Sequence, residues 1–107
     1  MFLRIELLMS HNQKSLQGKF VVGTVSQDSK MLLAGRVGGM DSLSNVEQDS
    51  FTEQGYIYIV SPFWRWYKDT PPTRAASVMG STLMNATDIT EVLSIDEFIS
   101  KYFEVLL

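Results

Sequence analysis

"YIYIVSPFWRWY", residues 56–67, decides how the rest of the chain is read. In its first half Tyr56, Tyr58 and Val60 fall on one side and Ile57 and Ile59 on the other. That is the period-two signature of a strand, in residue types that suit a pleated sheet. Pro62 has no N–H to give a ladder, so it is expected to end the strand or to sit at a sheet edge. Beyond it FWRWY resumes the strand pattern, with Trp64 and Trp66 on one face and Phe63, Arg65 and Tyr67 on the other. Burying an unpaired cation is costly, so Arg65 marks its own face as the wet one. The tryptophans are therefore expected to be the more buried pair.

Upstream of this stretch, "KFVVGTV" and "KMLLAGRV" are apolar, β-branched runs around the turn-formers "SQDS", which predicts a β-hairpin. Gly23 and Gly35 within the runs point to a bulge or to close packing against another element. At the N-terminus Leu3, Ile5, Leu7 and Met9 alternate with Arg4 and Glu6, the pattern of a half-buried strand. Residues 38–55 have glycines at both ends and few apolar side chains. They read as a long loop hiding a short helix capped by Asp41 or Ser42 and containing Leu43, Val46 and Glu47.

Downstream, residues 71–86 are ambiguous. Ala75, Met79, Leu83 and Ala86 have helical spacing and Pro72 suits a first turn, whereas Gly80 and the Ser/Thr content oppose a helix. "TDITEVL" reads as a short strand. At the C-terminus Ser94 and Glu97 form a capping box, with Leu93 and Phe98 in the staple positions around it. Ile95, Phe98, Ile99, Tyr102, Phe103 and Leu106 then trace an apolar stripe, predicting a helix from 95 to about 106.

These elements sum to a single α+β domain over residues 1–107: an antiparallel sheet of four to six strands with the C-terminal helix packed on one face. A small, partly open β-barrel carrying the same helix is the alternative. With 45% apolar and 20% charged residues the composition is that of an ordinary folded domain. Cysteine is absent, which removes disulfides, thiolate metal sites and cysteine nucleophiles and fits a reducing compartment. Arg4 and Glu6 interrupt the N-terminal apolar run, and no run approaches the roughly 20 residues of a membrane helix. A cytoplasmic protein with no membrane contact is the expectation.

Few parts for chemistry are present. His11 is the only histidine and lies in a polar stretch; no glycine-flanked nucleophile serine and no phosphate-binding glycine loop occurs. An EF-hand alignment from Asp41 places Leu43, Val46 and Thr52 at its third, sixth and twelfth positions, where oxygen ligands and glycine belong. Asp41, Glu47, Asp49 and Glu53 leave room only for a weak, adventitious cation site. The pairs Asp88/Glu91 and Asp96/Glu97 carry no catalytic assignment. No catalytic residue, metal or cofactor is assigned.

What remains is the aromatic and basic cluster Trp64, Arg65, Trp66, Tyr67 and Lys68, built from the residue types that dominate protein interfaces. The leading expectation is a non-catalytic protein-binding module: a small adaptor, inhibitor or immunity-type protein of a bacterium or phage. Its partner is another protein or a second copy of itself, paired through an exposed strand edge near Pro62. Two alternatives stand beside it. One is a small enzyme with a pocket between sheet and helix. The other is a single-stranded nucleic-acid binder using residues 63–68, a reading opposed by the net charge of −3 and a pI near 5.0.

Overall fold

A computed structural model describes residues 12–25, 28–70 and 76–103. The N-terminal alternation at 3–9, His11, Pro72, Ala75 and the end of the apolar stripe at Leu106 lie outside these residues.

A long strand, β3 (Tyr56–Tyr67), is the spine of the sheet. On one side it pairs with β2 (Asp28–Val37), which pairs with β1 (Phe20–Val25), which pairs with β6 (Ile89–Leu93). On its other side lie β4 (Ala76–Val78) and β5 (Ser81–Asn85), end to end. Every pairing is antiparallel, and the six-stranded sheet is open. The α+β reading holds, at the upper end of the expected strand count, and the sheet does not close into a barrel.

Pro62 neither ends β3 nor lies at an edge. It sits with Ser61 in a bulge, where Val60 faces Arg36 of β2 and the next pair is Phe63 with Gly35. Because two residues are inserted, the alternation of faces carries through the bulge unchanged. The opposite neighbour bends with it at Met79–Gly80, Gly80 taking a φ of +114° that only glycine adopts without strain. β4 and β5 share one register along β3, Val78 opposite Phe63 and Asn85 opposite Tyr56. The helical spacing noted across 71–86 is thus not used. Pairing with β3 makes the described part of that segment two strands and a 3-10 turn, Ala86–Asp88.

Alternation divides the apolar residues into two cores, one per sheet face. Val21, Leu33, Val37, Ile57, Ile59, Phe63 and Met84 fill the first. Gly35 is required there: a Cβ would come within 2.6 Å of Ile59 Cγ2 and 2.8 Å of Phe63 Cβ. Val22, Ala34, Trp66 and Phe98 form the second, with Phe20, Leu32, Trp64, Leu93 and Tyr102 around them.

Among the described residues, three short helical segments attach to this sheet. In α1 (Gln13–Leu16), Leu16 anchors the first core. The Gln13 side chain accepts from the Tyr58 N–H at 2.9 Å and donates to the Gly38 carbonyl, replacing a rung where β2 leaves β3. The helix α2 occupies Asn45–Glu53. Its cap is Ser44, in a reciprocal box with Glu47, rather than Asp41 or Ser42, and Val46 faces solvent. The segment α3 (Ile95–Phe98) starts at the expected Ser94–Glu97 box and widens into a π-helical turn over Ile99–Phe103. Only one flank of it meets the sheet. Phe98 is buried and Tyr102 half-buried, but Ile95 and Ile99 point outward, so the working stripe is narrower than the sequence suggested.

Candidate functional site

The cluster at the end of β3 is split by strand parity. Trp66 is buried, at 5% exposure, and Trp64 is half-buried; both lie against the C-terminal helical segment. The Trp64 ring is 5.6 Å from Phe98 and the Trp66 ring 6.0 Å from Tyr102. Phe98 stacks in turn on Phe20 at 4.3 Å and 10°. These contacts occupy the indole surfaces with intramolecular packing, each aromatic pair adding about 0.5–1.5 kcal/mol beyond its buried area.

Arg65, Tyr67 and Lys68 stand in solvent, Tyr67 at 48% exposure. Among the described residues the sole ion pair joins Lys101 to Glu91, so neither basic side chain of the cluster is neutralised. The backbone beneath them is held firmly. Arg65 lies opposite Leu33 on one side and Ala76 on the other, and the Lys68 N–H donates to the Lys30 carbonyl at 2.8 Å. That last bond brings exposed Lys30 beside Lys68. Sequence reading missed Lys30, because only the β2–β3 register reveals its neighbour. The turn that follows, closed by the Thr70 N–H on the Tyr67 carbonyl at 2.9 Å, carries exposed Asp69. The patch is therefore basic and aromatic with one acid at its rim.

Arg65 also lines a groove of about 770 Å³ that follows β5. Phe63, Leu33, Thr82 and Met84 line it with Arg65 on the first-core face, and Tyr56, Tyr58, Leu83 and Phe51 line it beside α2. Glu47 is the sole carboxylate in this lining, and it accepts from the Ser44 N–H at 3.2 Å as part of the α2 cap. Tyr58 Oη donates to Ser81 Oγ at 3.0 Å. The groove thus offers apolar walls, hydroxyls and a cation, Arg65, that has no ion pair among the described residues.

Glu91 and Glu97 also have structural partners. Glu91 accepts from Lys101 Nζ and from the Tyr102 hydroxyl. Burial pushes its carboxyl up, but the two hydrogen bonds and the Lys101 charge outweigh that, and its pKa lies below the ordinary value. The same contact and burial push the Tyr102 phenol up. Glu97 is held low by the hydrogen bonds from the Ser94 backbone and hydroxyl. Asp41, Glu47, Asp49 and Glu53 do not gather: among the described residues no three histidine or carboxylate side chains converge. Nor is any described helix long and apolar enough to cross a membrane.

No protein-family model matches the chain, and no curated protein matches it significantly.

Proposed function

We propose that the chain is a non-catalytic, cytoplasmic protein-binding module whose contact surface is Arg65, Tyr67 and Lys68, extended by Lys30. One observation carries the reading. On β3 the tryptophans turn inward under α3, while Arg65 and Tyr67, with Lys68 in the turn that follows, are held out from a well-anchored sheet without charge partners among the described residues. Arg and Tyr are the side chains that most often dominate interfaces, and a preformed surface loses little entropy on binding. Basic charge with little acid nearby favours a partner with an acidic face.

Packing of Trp64 and Trp66 against the helical segment weakens the single-stranded nucleic-acid alternative, which needs free ring faces for stacking. The enzyme alternative finds one carboxylate in the groove, and that one serves as a helix cap. Affinity capture from the cells that make the protein, with wild type and Arg65→Glu compared by quantitative mass spectrometry, tests the proposal. A stoichiometric partner retained by wild type and lost by the variant is expected. Equal retention by both, or capture of nucleic acid alone, would overturn it.

A further inference from the structure

The two edges of the sheet are treated differently. Along β6, Glu91 is tied to Lys101 and Tyr102 of the C-terminal segment, a charged cover of the kind that discourages strand addition. Along β4 and β5 no charged residue occurs between Arg74 and Asp88, and among the described residues no strand pairs with their outer side.

Register fixes which backbone groups that side presents. The Tyr58 N–H goes to Gln13 and its carbonyl accepts from the Gly38 N–H, so Tyr58 bonds away from β5. Bond direction alternates along an antiparallel strand. Ile57 and Ile59 therefore bond toward β5, to their partners Met84 and Thr82. Ser81 and Leu83 are left with N–H and C=O groups pointing outward and Asn85 with its N–H, its carbonyl opening the 3-10 turn Ala86–Asp88, at positions symmetric about Leu83.

We infer that this edge pairs with a second copy of the chain, β5 against β5, antiparallel across a two-fold axis at Leu83. Leu83 then faces the partner subunit's Leu83, and Ser81 faces the partner's Asn85. The central pair supplies two main-chain hydrogen bonds and each outer pair one, about four in all. On the other face Thr82 meets the partner's Met84. A two-fold axis sets a strand against itself, so any charge on it would meet its own kind nearby; this strand carries none. Because the two-fold pairing uses the same edge of both chains, it closes at two chains and gives a dimer rather than a fibre. The pairing uses none of Arg65, Tyr67 or Lys68, so it stands or falls separately from the protein-binding reading.

The chain has no cysteine, which makes Leu83→Cys a single-thiol probe. Across a hydrogen-bonded antiparallel pair the Cα atoms are about 5.5 Å apart, within disulfide reach. In analytical ultracentrifugation the wild-type mass should rise with concentration from 12.1 kDa toward twice that value. Mild oxidation should cross-link Leu83→Cys and leave Val46→Cys, exposed on α2, as single chains. Leu83→Lys should weaken the dimer by about tenfold or more through like charges at the axis, and Lys19→Glu, at an exposed position before β1 and away from the β5 groove, should leave it unchanged. Should Leu83→Lys fail to fold by circular dichroism, the cysteine pair decides. A wild type that stays monomeric at every concentration overturns the inference. So does a dimer that Val46→Cys cross-links as readily as Leu83→Cys.

Discussion

At the end of β3, two rows of side chains alternate over residues 64–67 and end in opposite environments. Trp64 and Trp66 lean on Phe98 and Tyr102, while Arg65 and Tyr67 project into water from the other face. Aromatic density alone makes the stretch resemble a stacking platform. Parity decides otherwise, because each residue's face is set by its position in the ladder and not by its chemistry. The comparison teaches that folding and recognition are carried by neighbouring residues and can be separated one substitution at a time.

The largest effect should come from the inner row. Trp66→Ala removes a side chain that is 5% exposed, and it should lower the free energy of unfolding by about 3–5 kcal/mol in a denaturant titration. A loss well under 1 kcal/mol would break the comparison, since the tryptophan would then not be packed as described.

A smaller, pH-dependent effect belongs to the contact that fastens the inner row's cover. The folded-state pKa of Glu91 lies below its ordinary value of 4.5, so it binds protons less readily folded than unfolded. Its contribution to stability is present above that ordinary value and is lost as pH falls through the lowered one. Glu91→Gln should therefore be less stable than wild type near neutrality, and the two should converge in thermal melts taken progressively below pH 4.5. Glu97 titrates in the same direction in both proteins, so the difference between them isolates Glu91. A gap that widens on acidification would contradict the assignment.

The outer row should matter least for the fold. Arg65→Ala is a surface change without a described ion pair, and its stability should stay within about 0.5 kcal/mol of wild type. A much larger loss would mean that Arg65 has a structural task, and the two rows would no longer be separable.

Much of this arrangement was legible in the sequence. Period two in YIYIV, the β-branched hairpin and the Ser94–Glu97 box are local signals that the structure realises. Trp66 turns inward as expected, but Arg65 does not mark a wet face: Phe63, on the same face, is buried in the first core at 5% exposure, and only the end of that row, Arg65 and Tyr67, reaches water. Ser44 with Glu47 was also legible, because the same serine-to-glutamate spacing occurs there. Asp41 and Ser42, just upstream, offer competing cap side chains but lack a glutamate or glutamine three residues on.

Other features depend on partners distant in the chain. Nothing near Pro62 tells that β4 and β5 will flank it and keep β3 internal. The spacing of Met79, Leu83 and Ala86 suits a helix locally, yet β3 outcompetes it by offering a ladder. Ile95 and Ile99 belong to the apolar stripe by spacing, but the surface they would need lies only under Phe98 and Tyr102. Lys30 joined the site through register alone.

The central claim, that the outer row recognises and the inner row folds, is tested most directly on one variant measured twice. Arg65→Glu should melt at the wild-type temperature, within the small shift that a surface substitution brings, and should bind the captured partner at least about tenfold more weakly by titration. Wild-type affinity for that partner in a normally folded Arg65→Glu would contradict the account.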